Sequence, residues 1–402
     1  MVVQRMSSRR AAAGAVVPAL AMLALATGTA APASASATPS FSWLSSVSCT
    51  SGTACIAVGG RAGHKQMDRI LALSWNGRRW TPQVPVDGNH IQPNDLNSIA
   101  CPSAAECFAV GSVGSFNVAD HRQLIEMWNG TAWSVQALGN PKGTANDFMT
   151  SVSCGGPSLC FTVGNENDNT GLTPGVLLEK WNGTGWSVQP PLPEPAGATG
   201  IALQAVSCVS PADCTAVGTD VFPGFTSDGT LAEHWNGTSW SIEPMPAQAK
   251  SAEPDLFSVS CSGTACMAAG SMLGSGGTEV PLAEWFNGTA WSVVHPAVPA
   301  GSTGIAVNGL ACTSPAACYA AGVTGSSAGS ATTLIERWNG TNWSVVPSPN
   351  APGTSTLTGI SCVSTQSCIA VGESSTGSST LSTLAMKLSA GHWTITPTPS
   401  PG

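Results

Sequence analysis

The sequence predicts an all-β fold: a seven-bladed β-propeller with four antiparallel strands and one disulfide hairpin in each blade. Two repeated motifs lead to this prediction. Two aromatic residues flank an Asn-Gly turn at regular intervals, and a cysteine pair precedes every copy. The first cysteines of successive pairs lie 50 to 54 residues apart. Four short strands fit one repeat, and seven such units are typical of a propeller, in which each blade packs between two neighbours.

The aromatic motif, W-N-G-x-x-W, closes each repeat. Five copies of the motif are complete. Two altered copies, the fifth and the seventh along the chain, keep only the second of the two tryptophans. The copies begin at Trp75, Trp128, Trp181, Trp235 and Trp338, and the altered ones at Phe286 and Leu388. Asn-Gly favours a tight turn, so the motif predicts a hairpin whose tryptophans fill space between blades. The alternative is a set of exposed aromatic shelves for sugar rings. The N-x-T sequons at Asn129, Asn182, Asn236, Asn287 and Asn339 follow from the turn chemistry.

The cysteine motif accounts for all fourteen cysteines of the chain. We expect seven disulfides, because the chain carries an export signal and every cysteine has a local partner. The pairs are Cys49–Cys55, Cys101–Cys107, Cys154–Cys160, Cys208–Cys214, Cys261–Cys266, Cys312–Cys318 and Cys362–Cys368. No repeat adds the His or Cys that would complete a zinc site, so no structural metal is predicted.

Two further positions recur within the repeat. The strand after each cysteine pair carries a small residue (Ala109 and Thr162, for example), which fits an inner strand crowded near the propeller axis. The third strand carries a glutamate in five repeats: Glu126, Glu179, Glu233, Glu284 and Glu336. A single active site does not need five copies. We therefore predict that these glutamates accept hydrogen bonds between blades.

Residues 1–37 are predicted to be an export signal. Arg5, Arg9 and Arg10 precede an apolar run, and two A-x-A sites place cleavage after Ala35 or Ala37. The alternative is an uncleaved membrane anchor, but Pro18 and the small residues make this run a poor span. No second apolar run is long enough to span a membrane. We expect a secreted, extracellular protein, and its high Ala and Gly content is typical of exported bacterial, in particular actinobacterial, proteins.

The rest of the chain is expected to form one domain over residues 38–397, with a disordered tail at 398–402. The predicted blades cover about residues 41–85, 96–139, 148–192, 203–246, 256–298, 307–348 and 357–397. The order of features within each blade resembles the kelch repeat and the propeller of galactose-oxidase-type proteins. A hairpin is followed by Val-Gly, then Glu-x-aromatic, a turn and a tryptophan. Gly59-Gly60 keeps the double glycine of the kelch pattern, and the first Trp stands where kelch has Tyr. The resemblance implies the fold and does not fix a function, because this scaffold hosts unrelated activities.

Composition limits the function classes. The formal net charge of −8 becomes about −11 once the three N-terminal arginines are removed, so nucleic-acid binding is not expected. A copper site of the galactose-oxidase type needs two tyrosines and two histidines, whereas Tyr319 is the one tyrosine of the chain. Pairing of all cysteines would leave no cysteine nucleophile. Catalysis is therefore not favoured.

A ligand site is expected on the face of the ring that carries the second–third and fourth–first loops. These loops vary in length and chemistry between repeats, and such variation gathers on binding faces. The candidate ligand-binding residues are Arg61, His64, Asp68, Arg69, His90, Asp95, Asp120, His121, Arg122, Asp147, Glu166 and Asp168.

These observations favour a monomeric, non-catalytic binding module for a glycan or a protein outside the cell. Two alternatives stay open. One is a glycan-active hydrolase or lyase that uses loop carboxylates. The other is a purely structural extracellular domain. No cofactor is expected, with calcium as the one candidate: NENDNTG (165–171) resembles the start of a calcium loop, although Val176 stands where that loop has a glutamate.

Overall fold

A computed structural model describes residues 41–62, 68–86, 94–114, 122–138, 147–167, 174–221, 229–248, 252–274, 279–326, 330–377 and 380–399. The predicted export signal lies outside these residues. Within them the chain forms seven antiparallel sheets of four strands, each built from consecutive strands. The predicted seven-bladed propeller is therefore confirmed. In the described ranges, no helix is long and apolar enough to cross a membrane.

The strands of the first four blades are β1 (Ser42–Ser51), β2 (Ala54–Ala62), β3 (Asp68–Trp75), β4 (Trp80–Gln83), β5 (Asn94–Ser103), β6 (Glu106–Val113), β7 (Arg122–Trp128), β8 (Trp133–Val135), β9 (Asp147–Gly156), β10 (Leu159–Asn167), β11 (Pro174–Trp181), β12 (Trp186–Val188), β13 (Gly200–Ser210), β14 (Asp213–Val221), β15 (Thr230–Trp235) and β16 (Trp240–Glu243). The last three blades contain β17 (Asp255–Ser262), β18 (Ala265–Leu273), β19 (Glu279–Phe286), β20 (Trp291–Val294), β21 (Ser302–Ser314), β22 (Ala317–Ser326), β23 (Ala331–Trp338), β24 (Trp343–Val346), β25 (Thr354–Ser364), β26 (Ser367–Gly377), β27 (Thr380–Ser389) and β28 (His392–Ile395).

The first strand of every blade lies innermost. First strands of neighbouring blades contact one another all round the ring, from β1 to β5 and onward to β25, which again contacts β1. The small residues after the cysteine pairs therefore lie on the second strand from the axis, directly beside the innermost one. They lie opposite the glutamate positions of the third strand, as Ala109 does to Glu126. Their small size leaves room for the neighbouring glutamate side chain.

A β-bulge interrupts the first strand of every blade, and a glycine of the second strand lies opposite it. In β9 the register shifts between Met149 and Ser151, next to Gly164. A Cβ on Gly164 would lie 2.2 Å from the carbonyl oxygen of Phe148, so no side chain fits there. Equivalent close approaches occur at Gly59, Gly111, Gly218, Gly270, Gly322 and Gly372. This contact explains why a glycine recurs in each repeat.

All seven predicted disulfides are present, each between the first and second strands of one blade. Their Cα–Cα distances are 3.9 to 4.0 Å. No free cysteine occurs among the described residues. Seven disulfides in one domain indicate an oxidising environment.

Serine hydroxyls on the innermost strands join neighbouring blades. Ser48 accepts a hydrogen bond of 3.0 Å from the amide of Cys101 in the next blade, and Ser207 accepts one from Cys261 at the same distance. Ser153 and Ser260 form the equivalent bonds of 2.9 Å to Cys208 and Cys312. Among the described residues, the sheet of the seventh blade contains the consecutive strands β25–β28 and no strand exchanged from another part of the chain. An isolated parallel bridge joins Phe41 to Leu381 of β27.

The end of the domain packs on the outer part of the seventh blade. The hydroxyl of Thr383 in β27 donates to Thr398 Oγ1 at 2.9 Å and contacts the carbonyl oxygen of Pro399 at 3.2 Å. These two residues belong to the segment expected to be a disordered tail. Residues 400–402 lie outside the described part of the chain.

Candidate functional site

The tryptophans of the repeated hairpin are part of the blade interior. Ten of the twelve are at most 8% exposed, and only Trp128 and Trp240 are half-buried. Trp181 donates its indole N–H to the carbonyl oxygen of Pro157 at 3.1 Å, in the cysteine hairpin of its own blade. Trp338 donates in the same way to Pro315 at 3.3 Å. The ten buried rings cannot serve as sugar shelves, so that alternative is wrong for them.

The Asn-Gly turns use the polar side chains of their sequons. In the second blade, Asn129 Oδ1 accepts hydrogen bonds from the amides of Thr131 and Ala132 at 3.0 and 2.9 Å. It also accepts one from the Thr131 hydroxyl at 2.8 Å. The positive φ of the turn, +89°, belongs to Gly130 rather than to the asparagine. Both polar residues of the sequon therefore shape the turn, as predicted.

The five repeated glutamates lie between blades and have no solvent exposure. Glu126 accepts a hydrogen bond of 3.1 Å from the amide of Val86, in the segment between β4 and β5. Glu284 accepts from the Thr230 hydroxyl at 3.2 Å and from the Gln248 amide group at 3.0 Å. These donors belong to the preceding blade or to the segment that follows it. The predicted hydrogen bonds between blades are therefore present for Glu126 and Glu284, whereas neither carboxylate oxygen of Glu233 has a partner among the described residues.

Burial raises the pKa of Glu179, Glu233, Glu284 and Glu336 to about 7. The cause is loss of water around the carboxylate, which disfavours the charged form. For Glu284, the hydrogen bonds from Thr230 and Gln248 oppose this rise. Carboxyl groups that titrate near neutral pH often take part in acid–base catalysis. Here they are sealed between blades and repeated, so they have no path to a substrate.

The structure describes five of the twelve candidate side chains on the variable-loop face. Asp95 and Asp147 lie at the starts of β5 and β9, and Arg122 begins β7. Arg61 lies near the end of β2, and Arg69 near the start of β3. His64, His90, Asp120, His121 and Asp168 lie outside the described residues, as do the side chains of Asp68 and Glu166. Most of the candidate calcium loop lies outside them too.

Blade one carries a polar row at this face that sequence reasoning had only partly recognised. Arg61 and Arg69 are directly opposite each other in the pair β2–β3, and Ser42 of β1 is opposite Arg61. Directly opposed residues share one face of a sheet. Ser42 is completely buried, and neither its Oγ nor the Nε of Arg61 has a hydrogen-bond partner among the described residues. The row is therefore a polar cluster that the described protein does not satisfy.

The two acidic candidates whose side chains the structure describes, Asp95 and Asp147, lie on blades two and three. The hydroxyl of Ser112 donates a 3.0 Å hydrogen bond to Asp95 Oδ1. Asp147, at the start of the neighbouring innermost strand, is 3% exposed. Within the described residues, no three His, Cys, Asp or Glu side chains are grouped so as to hold a metal ion.

The opposite face has a groove of about 180 Å³ between blades one and two. Its lining includes Thr50, Ser74, Gln83, Trp75 and the half-buried Trp128. Most of this lining belongs to the cysteine hairpins and to the strands that flank the Asn-Gly turns. The groove is a second location at which a ligand could be tested.

Comparisons with known proteins identify the fold. No protein-family model matches the chain, and no curated protein is significantly similar to it in sequence. Among solved structures, it is similar to YCF48 from Cyanidioschyzon merolae, with 13% identity over 88% of this chain and 98% of that one and a TM-score of 0.53. It is also similar to an ulvan lyase of polysaccharide lyase family PL25 bound to -[GlcA(1-4)Rha3S]-, with 9% identity over 82% and 89% of the two chains and a TM-score of 0.52.

A third similar structure is the β-propeller domain of the Trilobed protease from Pyrococcus furiosus, which is described as having an open velcro topology. The identity is 9% over 88% of this chain and 97% of that one, with a TM-score of 0.50. At such low identities the likeness shows the propeller fold alone.

Proposed function

We propose that the protein is an exported, monomeric, non-catalytic binding module whose ligand is a glycan or a protein outside the cell. One observation carries the proposal. The repeated residues with binding or acid–base potential, the tryptophans and glutamates, are almost all sealed inside the blades. The unrepeated charged residues Arg61, Arg69, Asp95 and Arg122 instead lie at strand ends on the variable-loop face. A face with charged side chains that differ from blade to blade suits recognition of one specific ligand.

Two further findings support this function. The seven disulfides suit a protein that works in an oxidising, extracellular environment, in agreement with the predicted signal at residues 1–37. In addition, one of the similar propellers, the ulvan lyase, is bound to a polysaccharide. A glycan is therefore the first ligand class to test.

A glycan-active hydrolase or lyase is the second candidate, favoured by one arrangement. Asp95 and Asp147 occupy the starts of adjacent innermost strands, so two neighbouring blades each offer a carboxylate at the same face. Paired carboxylates are what glycoside hydrolysis requires. One of the similar propellers is itself a lyase.

The test is to screen the purified chain from residue 38 onward on a broad glycan array, with and without calcium, and to assay every bound glycan for cleavage. We expect saturable binding to one sugar class, unchanged glycan after long incubation, and elution as a monomer. Cleavage that is lost in Asp147→Asn would replace the proposal with the enzyme. Absence of binding to any glycan and to the surface of the producing cells would leave the structural role.

A comparison of two further variants locates the site. Trp128→Ala alters the groove between blades one and two on the opposite face, whereas Arg122→Gln alters the variable-loop face. We expect the first variant to bind like the wild type and the second to bind more weakly. The reverse result would move the site to the groove.

A further inference from the structure

The positive charge of the chain is concentrated in blade one. Residues 41–85 contain five Lys or Arg and one acidic residue, Asp68. Residues 86–402 contain six Lys or Arg and twenty-one Asp or Glu. An anionic ligand is therefore repelled by most of the ring and attracted to one blade. Such an uneven distribution of charge steers the approach of charged ligands.

Within blade one, Arg61 and Arg69 form a like-charged pair directly opposite each other on β2 and β3. Like charges at such positions destabilise a sheet. The Nε of Arg61 is buried without a hydrogen-bond partner among the described residues. The loop between the two arginines adds Lys65 and Asp68, so the segment 61–69 keeps a net charge of +2. The pair therefore costs folding free energy, and within the described residues the buried Nε of Arg61 gains no hydrogen bond in return.

The arginine pair lies at the seam between blades one and seven. Leu44, Ala57 and Leu71, which pack against Val371 of blade seven, lie on the same sheet face as Ser42, Arg61 and Arg69 because side chains alternate along a strand. The row continues this packed face one step beyond the apolar core, towards the variable loops. On the facing wall, Glu373 occupies the corresponding position of β26 and is half-buried.

We propose that Arg61 and Arg69 form an anion-binding site for the carboxylate or sulfate groups of an acidic glycan. Two guanidinium forks on adjacent strands can each offer paired N–H donors to a planar carboxylate or a sulfate. The ring of Trp43 packs on Gly60, at positions whose side chains point to the opposite face of the sheet, so it does not line this site. The choice of a glycan over an acidic protein follows from the proposed function, and the probes below test it. The inference rests on the proposed binding function and adds the chemical class of the ligand and its place on the ring.

No other blade has two arginines in this register. At the equivalent positions of the second and third strands, blade two has Val113 and Arg122, and blade six has Thr324 and Thr332. The described part of the chain therefore offers one such site. We expect each protein molecule to bind one cluster of carboxylate or sulfate groups.

The experiment compares Arg61→Gln/Arg69→Gln with Arg78→Gln/Arg79→Gln. The second pair is exposed in the Asn-Gly turn of the same blade and on the opposite face, so both variants lose the same charge. The probes are a polyuronate, a sulfated polysaccharide, neutral dextran and polyglutamate, titrated at two salt concentrations. We expect the acidic glycans to bind, the first variant to bind at least tenfold more weakly, and the second to stay within about twofold. Thermal unfolding checks that both variants are folded.

Other outcomes separate this inference from the proposed function. Equal weakening in both double variants would show unspecific attraction to charge and overturn the site. Binding of a neutral glycan that is insensitive to Arg61→Gln/Arg69→Gln would overturn the site while the proposed function stands. Binding of polyglutamate in place of the acidic glycans would overturn the ligand class in favour of an acidic protein. Absence of binding to every probe and to the glycan array would overturn this inference, and absence of binding to the surface of the producing cells as well would overturn the proposed function.

Discussion

The backbone amide of Cys49 donates a hydrogen bond of 3.1 Å to the hydroxyl of Ser361, across the seam between the first and seventh blades. The same Ser–Cys bond joins other neighbouring blades, so this seam is held like an interior boundary. Thr358 strengthens it, because its hydroxyl contacts the carbonyl oxygen of Leu44 at 2.5 Å. The indole N–H of Trp80 also reaches Thr396 Oγ1 at 3.1 Å. Within the described residues, these side-chain bonds, the packing and the isolated bridge between Phe41 and Leu381 close the ring.

Loss of the seam bond should weaken the ring measurably. We expect Ser361→Ala to lower the free energy of unfolding by about 1 kcal/mol, since the amide of Cys49 loses its acceptor. Chemical denaturation measures the change. The control is Ser134→Ala, which removes an exposed hydroxyl from the outer strand β8 and should change stability by less than about 0.5 kcal/mol. Equal effects of the two substitutions would contradict the role of the seam bond.

Because of the buried glutamates, we expect the free energy of unfolding to be lower at pH 8 than at pH 5. Their pKa values lie near 7 in the folded protein against an ordinary value of 4.5. Between these values the folded state holds protons that the unfolded state has released. The stabilisation is complete below about pH 4.5 and is lost as the pH rises to about 7. Thermal unfolding across this range should therefore show a falling Tm.

The matched variant replaces all four of these glutamates by glutamine, which does not titrate. Its Tm should depend much less on pH between 4.5 and 7 than that of the wild type. Parallel curves for the two proteins would show that other groups cause the dependence.

Glu233 should tolerate an apolar replacement better than Glu284 does. Neither carboxylate oxygen of Glu233 has a hydrogen-bond partner among the described residues. The equivalent positions of blades one and seven hold Leu73 and Met386, both completely buried. We expect Glu233→Met to stabilise the fold at pH 8 by about 1 kcal/mol or more, because a buried charge is replaced by a side chain that the site accepts elsewhere.

Glu284→Met is the comparison, because it removes the acceptor of Thr230 and Gln248. We expect it to be clearly less favourable than Glu233→Met in denaturation at pH 8. The opposite order would mean that the hydrogen bonds of Glu284 contribute little.

The glycine opposite the bulge should not accept even a methyl group. A Cβ on Gly218 would lie 1.9 Å from the carbonyl oxygen of Ala202, so Gly218→Ala must displace backbone. We expect a loss of about 3 kcal/mol or failure to fold. Gly185→Ala is the control, because nothing lies within 4 Å of its added Cβ. Both variants are compared by Tm, and a similar Tm for both would contradict the close approach.

The turn of the seventh blade contains a strained alanine. Ala390 has a φ of +51°, where the other blades have an Asn-Gly turn with positive φ on glycine alone. For an L-residue other than Asn or Asp, this left-handed backbone conformation costs about 1–2 kcal/mol of free energy. We expect Ala390→Asn to raise stability by about 1 kcal/mol. Ala132→Asn, at an exposed turn position without positive φ, should leave the free energy of unfolding nearly unchanged.

The fold was predictable because its information is repeated seven times. The spacing of the cysteine pairs indicated the blades and the disulfides, and five copies of one glutamate indicated a role between blades. The order of strands from the axis was not predictable in the same way. Small residues such as Ala109 suited an inner strand equally well, and only the tertiary contacts show that they make room for glutamates.

The candidate site is unrepeated, so periodicity says little about it. Which loop side chains converge depends on how neighbouring blades stack, and this is not encoded in any single segment. One signal was nevertheless present. Cys55 lies opposite Trp75, and continuing this antiparallel register along the hairpin places Arg61 opposite Arg69. Ser42 carried no comparable signal, because its place beside Arg61 depends on the pairing of β1 with β2.

Every blade consists of four consecutive strands, and the boundary between the last blade and the first resembles the others. The ring therefore has no structurally privileged first blade. A circular permutant that joins the present ends and opens the segment between β12 and β13 would keep all seven sheets and all seven disulfides. The order of the blades in the gene is in this sense free, and only their cyclic sequence matters for placing the arginine pair at its seam.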